Sequence, residues 1–200
     1  MTHPMTDDPT MTDKRDLILA DEKRFAAQVA TKVIDKPQLD VWMILIPIFF
    51  IFYFWQLKRY AKGRKTFAEK FLITRERALD EALRSAENGK SPDIGALVQA
   101  SDIPAETRQG YRPWVTLLVE HYRDLILAHG SNYPALVRST YKTRTNYLLF
   151  LNRLNQVERE FDAALKPHLE KSTEDVNGII KLMEESVISL RRQLAEEIFP

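Results

Sequence analysis

The sequence predicts an all-α protein in which a single transmembrane helix is followed by a cytoplasmic antiparallel α-helical bundle. An uncharged apolar run of fifteen residues, Val41–Trp55, predicts the transmembrane helix. Beyond Thr66, apolar residues recur at intervals of three and four, the period of an amphipathic helix. The chain also has only six glycines and lacks the alternating Val, Ile and Thr that are typical of strands. Helices are therefore expected throughout.

The membrane span is predicted to cover residues 40–58. Trp42 lies at one end of the apolar run, and Trp55 and Tyr60 lie at the other, as in the aromatic belts of membrane helices. The internal position of the run and its basic C-terminal flank exclude a cleaved signal peptide. Pro47 removes a backbone donor within the run. A re-entrant or monotopic insertion therefore stays open, as does a helix buried against a partner.

Basic residues close to the apolar run predict its orientation. Within fifteen residues of the run, the N-terminal flank has two Lys and the C-terminal flank has six Lys or Arg. This imbalance predicts an outer N-terminus and a cytoplasmic C-terminal domain in the cell membrane, which would be the inner membrane of a bacterium. The residues predicted to lie at the membrane interface are Trp42, Trp55, Lys58, Arg59, Tyr60, Lys62, Arg64 and Lys65. The same basic block is also suited to bind anionic lipid headgroups.

Composition and helix-breaking residues divide the chain into four parts. Residues 1–12 are polar with two prolines and are expected to be a disordered tail. Residues 13–36 are predicted to form an amphipathic N-terminal helix, which lies on the membrane surface, docks on a partner or is a marginal helix that frays. The predicted span, residues 40–58, follows. Residues 59–200 form the helical-bundle domain, whose boundary is open to a start near residue 66.

Turn and capping residues divide the bundle into separate helices. The first ends at Asn88-Gly89, a usual C-cap, and Gly110 and Pro113 break the chain further on. Short connections favour antiparallel neighbours. The predicted helices cover residues 66–88, 92–100, 104–109, 113–129, 134–165 and 172–198.

The final helix carries the most regular apolar pattern. Its apolar residues recur at spacings of 4, 3, 4, 3 and 4, which is close to a heptad seam. The residues of this seam are Val176, Ile180, Met183, Val187, Leu190 and Leu194. The pattern is compatible with a coiled coil between copies of the chain, but a helix packed within its own bundle explains it with fewer assumptions.

Several chemistries are excluded by the motifs they require. The chain has no cysteine, which removes disulfides, thiolate metal sites and cysteine nucleophiles. No two glycines have the spacing of a dinucleotide-binding or phosphate-binding loop. The ExxH pattern of di-iron bundles, HExxH and GxSxG are absent as well. We therefore predict no metal, no cofactor and no catalytic residues.

Two groups of polar residues come closest to a functional site. His121 and Asp124 share a helix face at spacing three and are the one candidate for acid–base or metal chemistry, although an exposed or half-buried helix pair is the favoured explanation. Arg138, Lys142 and Arg144 lie among tyrosines, a mixture that occurs in nucleic-acid binding. The surrounding domain carries an acidic excess, which argues against nucleic acid as a partner.

Together these patterns predict a membrane-anchored bundle without enzymatic activity, acting as a scaffold, adaptor or assembly component of a membrane-associated complex. Its expected partners are the lipid bilayer and either a protein partner or a second copy bound through helix faces. A lipid-binding or membrane-shaping protein that uses the basic juxtamembrane block is one alternative. An enzyme or metal-carrying bundle with a site near His121 and Asp124 is another.

Overall fold

The computed structural model describes residues 8–34, 63–101, 103–169 and 176–200. Within these ranges the regular structure is helical and contains no strand, which confirms the predicted all-α class. A short 3-10 turn, Ala105–Thr107, precedes the helix that begins at Arg108. The helices are α1 (Met11–Ile34), α2 (Gly63–Asn88), α3 (Ile94–Gln99), α4 (Arg108–Leu127), α5 (Tyr133–Tyr141), α6 (Arg144–Leu169) and α7 (Val176–Ile198).

Helices α1 and α2 pack side by side in opposite directions. Near the start of α1, Arg15 Nη2 lies 2.6 Å from Asp80 Oδ1 in the second half of α2. Further along α1, the Phe25 ring lies 6.2 Å from the ring of Phe71, near the beginning of α2. The last turn of α1 and the first turn of α2 therefore lie at the same end of the bundle.

This packing corrects the predicted location. Among the helices of the described ranges, none combines the length and the apolar character that a membrane crossing requires. The predicted span, residues 40–58, lies outside those ranges. The helices before and after it are packed against each other, so they cannot lie on opposite sides of a bilayer. The prediction of a single-pass protein with an outer N-terminus and a cytoplasmic C-terminal domain is therefore wrong.

Helix α1 is part of the bundle and begins at Met11, two residues before its predicted start. Thr10 Oγ1 accepts a hydrogen bond from the Asp13 backbone N–H at 3.1 Å, and the Asp13 carboxylate accepts one from the Thr10 N–H at 3.0 Å. This reciprocal pair is a capping box. Just before it, the Asp8 carboxylate pairs with Lys14 at 2.8 Å and lies 3.1 Å from His129 Nδ1. Residues 1–7 of the predicted tail lie outside the described ranges.

Helix α2 ends at Asn88, as the Asn88-Gly89 signal predicts. Gly89 has a positive φ of 62°, which a residue without a Cβ adopts at little cost. The Lys90 N–H donates to the Ser85 carbonyl at 3.1 Å and the Gly89 N–H to the Ala86 carbonyl at 3.4 Å. These two bonds form a Schellman motif that satisfies the last carbonyls of the helix.

The predicted break at Gly110 and Pro113 is wrong, because α4 runs through both residues. Pro113 removes one backbone donor near the helix start, where loss of a single bond is tolerated. A Cβ at Gly110 would lie 3.4 Å from the Ala164 Cβ, so glycine here allows α6 to approach α4 closely. Ten buried side chains of α4 then hold the helix in the centre of the bundle.

The predicted helix over 134–165 is two helices. Lys142 interrupts it with φ at 64°, and Thr143 follows. Thr143 Oγ1 accepts a hydrogen bond from the Asn146 N–H at 3.2 Å, which caps the start of α6. Helix α6 then continues through Pro167 to Leu169. The predicted start of the final helix, residues 172–175, lies outside the described ranges.

The core surrounds α4. Leu118, Val119, Tyr122, Leu125 and Ile126 are at most 1% exposed, and α1, α2, α3, α5 and α6 all pack against this helix. A second, smaller apolar cluster joins α1 to α7 through Phe25, Val29, Ala30, Val187 and Leu190. Charged side chains from four helices also meet in the interior of the bundle.

Candidate functional site

A network of buried charges connects four helices. Its members are Glu22 from α1, Arg75 from α2, Glu158 from α6 and Arg191 from α7. Arg75 Nη1 lies 3.2 Å from Glu22 Oε2, and its Nη2 lies 2.9 Å from Glu158 Oε1. Arg191 binds both oxygens of Glu158, at 2.8 and 2.5 Å. The two guanidinium side chains are 3% and 4% exposed, so two positive and two negative charges balance within the interior.

Neutral side chains complete the coordination of the network. The Tyr122 hydroxyl donates to Glu22 Oε1 at 2.7 Å, and Trp114 Nε1–H donates to Glu158 Oε1 at 3.0 Å. Asn155 Oδ1 accepts a hydrogen bond from Arg191. Buried ions keep their charge only when such partners replace water.

The network determines the protonation of its own members. Burial acts to raise the pKa of Glu158, but the charge and hydrogen bonds of Arg191 and the charge of Arg75 hold it below its ordinary value. Burial acts to lower the pKa of Arg75, and the carboxylate of Glu22 raises it instead. Burial, reinforced by Glu22, raises the pKa of Tyr122 well above 10.0. Glu158 and Arg75 therefore stay charged at neutral pH.

A small cleft opens next to this network, between α2, α4, α6 and α7. Its volume is about 60 Å³. Arg75, Asn155 and Glu158 of the network form part of its surface. Its apolar walls are formed by Phe71, Trp114, Phe161, Met183, Val187 and Ile188. The rings of Trp114 and Phe161 are stacked, with centroids 5.9 Å apart and planes 15° apart.

The cleft also contains two carboxyl groups outside the network, Asp162 and Glu184, together with Arg159. Burial raises the pKa of Asp162 well above 3.8, and the nearby charges of Glu158 and Glu184 add to the effect. Burial also raises the pKa of Glu184, and Arg159 counteracts this. Among the described residues, Asp162 makes no hydrogen bond or ion pair that would stabilise its charge. Within the described ranges, Asp162 is therefore a carboxyl group in the cleft without a cationic partner.

The structure places His121 and Asp124 in different surroundings. His121 is buried: its Nδ1 lies 2.7 Å from the Tyr141 hydroxyl, and its ring stacks on Phe150 at 4.2 Å. Burial, followed by the charges of Arg75 and Arg191, lowers the pKa of His121 to about 3. Its imidazole is therefore neutral at physiological pH and fills the core, whereas Asp124 is exposed.

The residues of the predicted seam face the interior of the chain's own bundle. Met183, Val187 and Leu190 pack in the smaller cluster with α1, and Ile180 and Leu194 pack against the main core. The side chain of Val176 lies outside the described residues. So do the predicted membrane-interface residues Trp42, Trp55, Lys58, Arg59, Tyr60 and Lys62 and the side chains of Arg64 and Lys65. Within the described ranges, no group of three or more His, Asp or Glu could hold a metal ion.

The buried network was missed by the sequence analysis, although its members leave a signal. Glu22 lies between Ile18 and Phe25 in the apolar stripe of α1, at spacings of four and three. Glu158 occupies the same kind of position between Leu154 and Phe161. A charged residue at a core position of an amphipathic helix must be paired in the folded state, because burying it alone is too costly. Glu22 and Glu158 therefore indicate that cationic partners lie inside the bundle.

Comparisons with protein families, with curated proteins and with solved structures find no match to this chain. The function is therefore argued from the geometry of the bundle alone. The cleft is the part of the described structure where apolar walls, a rigid charged base and an unpaired acidic group meet.

Proposed function

We propose that this protein is a binding module, a helical bundle that acts as a scaffold or adaptor by holding a partner protein at the cleft between α2, α4, α6 and α7. The single observation that carries the proposal is the construction of the cleft. Stacked aromatic rings and aliphatic side chains form its walls, and a network of ion pairs fixes its base. Binding hot spots in proteins combine such apolar walls with a small number of placed polar groups.

The size of the cleft favours a protein partner over a free metabolite. Pockets for drug-sized ligands usually enclose about 300–1,000 Å³, whereas this cleft encloses about 60 Å³. That volume accommodates the end of one side chain. Such a site suits a partner protein that inserts a single anchoring side chain and makes its remaining contacts with α6 and α7.

Affinity capture with a cleft variant tests the proposal. Ile188→Glu places a charge in the apolar wall of the cleft, at a half-buried position where folding is expected to survive. We expect proteins that co-purify with the full-length chain to be lost with this variant.

Leu149→Glu is the matched control, because Leu149 on α6 is an exposed apolar residue that is 63% accessible. This control should retain the partners. Equal loss with both variants, or no loss with Ile188→Glu although the variant is folded by circular dichroism, would contradict a partner site at the cleft.

A further inference from the structure

We infer that the cleft takes the basic side chain of a partner protein, a Lys or Arg whose apolar stem lies against the apolar wall and whose charge reaches Asp162 and Glu184. This inference rests on the proposed binding function and names the chemistry of the anchoring residue. Charge complementarity is its first support. The cleft holds two carboxyl groups outside the network, and Asp162 among the described residues has no ion-pair or hydrogen-bond partner.

The apolar walls are the second support. A Lys or Arg side chain consists of an apolar stem that ends in a cation, and such stems lie on apolar surface while the charged end finds a polar partner. Met183 and Ile188, which are half-buried, offer that surface. Trp114 also lines the cleft, although it is only 4% exposed, and an indole ring attracts cations in addition. An anionic group would find no aromatic attraction of this kind.

The cations already present do not replace the missing partner. Arg75 and Arg191 are bound to Glu22 and Glu158, which leaves their charges neutralised within the network. Arg159 lies on the rim and acts on Glu184 rather than on Asp162. Arg75 Nε is buried and lacks a partner among the described residues. Because this N–H group can donate to an anion, the experiment must distinguish an anionic occupant from a cationic one.

Side-chain analogues test the inference directly on the full-length protein. The probes are n-butylguanidinium and n-butylammonium, with neutral n-butanol and anionic n-butyrate as comparisons of similar size. The readout is the indole N–H resonance of Trp114 in a ¹H–¹⁵N spectrum, identified by its loss in Trp114→Phe. We expect saturable shifts with the two cations at millimolar concentration and none with n-butanol or n-butyrate.

Two variants assign the binding to the cleft. Asp162→Asn and Glu184→Gln should each weaken the binding of n-butylguanidinium, Asp162→Asn by about tenfold. Asp124→Asn changes an exposed aspartate outside the cleft in the same chemical way, and it should leave the affinity within about twofold of the wild-type value. Circular dichroism checks that each variant is folded. If Asp162→Asn does not fold, Glu184→Gln alone tests the inference.

The outcomes separate this inference from the proposed function. Equal shifts with n-butanol would show an unselective apolar pocket, and shifts with n-butyrate would show an anion site next to Arg75. Either result overturns the inference, as does binding of the cations that survives both cleft variants. If the cations do not bind but Ile188→Glu still abolishes partner capture, the cleft binds a partner through another anchor and only the present inference fails.

Discussion

At the scale of single residues, Glu158 links the two arginines of the buried network. Its two oxygens accept hydrogen bonds from Arg75, Arg191 and Trp114, which belong to three different helices. A carboxylate with three donors holds α2, α4 and α7 in register against α6. Its removal leaves two guanidinium side chains, which are only 3% and 4% exposed, with fewer anionic partners.

We therefore predict that Glu158→Gln destabilises the protein by about 3 kcal/mol, as is usual when one partner of a buried ion pair is removed. Glu160→Gln is the control, because Glu160 is exposed and bonds only the nearby Gln156 among its described contacts. It should cost less than about 0.5 kcal/mol. Urea unfolding followed by circular dichroism measures both changes. A loss below about 1 kcal/mol for Glu158→Gln would show that the network contributes little to stability.

Asp21 gives a pH-dependent prediction at the same scale. Burial is the largest cause that raises its pKa from 3.8 to about 6, with Arg24 opposing and Glu22 adding to the shift. The native state thus binds a proton at Asp21 more strongly than the unfolded state does. Its contribution to stability is fully present below about pH 4 and is lost as the pH rises through about 6.

Asp21→Asn should consequently stabilise the protein by about 2 kcal/mol at pH 7.5, where the wild-type carboxyl is ionised, and by much less at pH 4. Thermal unfolding at both pH values measures the difference between variant and wild type. Asp16→Asn on the exposed side of α1 is the matched control and should show no such pH-dependent gain. An equal gain for Asp21→Asn at both pH values would mean that the gain does not come from titration of the carboxyl.

At the scale of elements, the junction between α5 and α6 is a helix boundary that the periodicity of the sequence does not reveal. The apolar residues of 134–165 continue with helical spacing across Lys142, so periodicity alone predicts one helix. The break depends on a positive φ at Lys142 and on the cap that Thr143 provides. Tyr141, Tyr147 and Phe150 pack together across the break, and these contacts hold the bend.

Lys142→Gly is predicted to stabilise the protein by about 1 kcal/mol, because glycine adopts a positive φ without the steric cost that a Cβ carries. Lys142→Ala is the control that removes the same long side chain but keeps the Cβ, and it should give no gain. The free energy of unfolding in urea measures both. A gain of equal size with alanine would assign the effect to the lost side chain rather than to the backbone.

At the scale of the whole molecule, α1 is as much part of the bundle as the helices beyond residue 63. It supplies Glu22 to the network and Phe25, Val29 and Ala30 to the apolar cluster with α7. The domain division predicted from the sequence separates this helix from the bundle because an apolar segment lies between them. The structure joins them, because helices distant along the chain pack whenever their buried faces match.

A fragment of residues 59–200, which corresponds to the domain predicted from sequence, should therefore fail to fold as the full chain does. It lacks Glu22, one of the two carboxylates that pair with Arg75, and exposes the apolar face of α7. We expect a lower and broader thermal transition, and recovery of the cooperative transition when a peptide of residues 8–34 is added in trans. The peptide with Glu22→Gln should restore less. A fragment that melts within a few degrees of the full chain would contradict the role given to α1.

The sequence by itself determined the helical class, the C-cap at Gly89 and the apolar faces that form the core, because these follow from local spacing and local hydrogen bonds. Only the tertiary structure decided that α1 belongs to the bundle, that α4 continues through Gly110 and Pro113, and that four distant charges meet beside one cleft. The physical reason is the same in each case. Pairing of charges, close helix approach and burial of a helix face all depend on which elements become neighbours, and neighbours are selected by the packing of the whole chain.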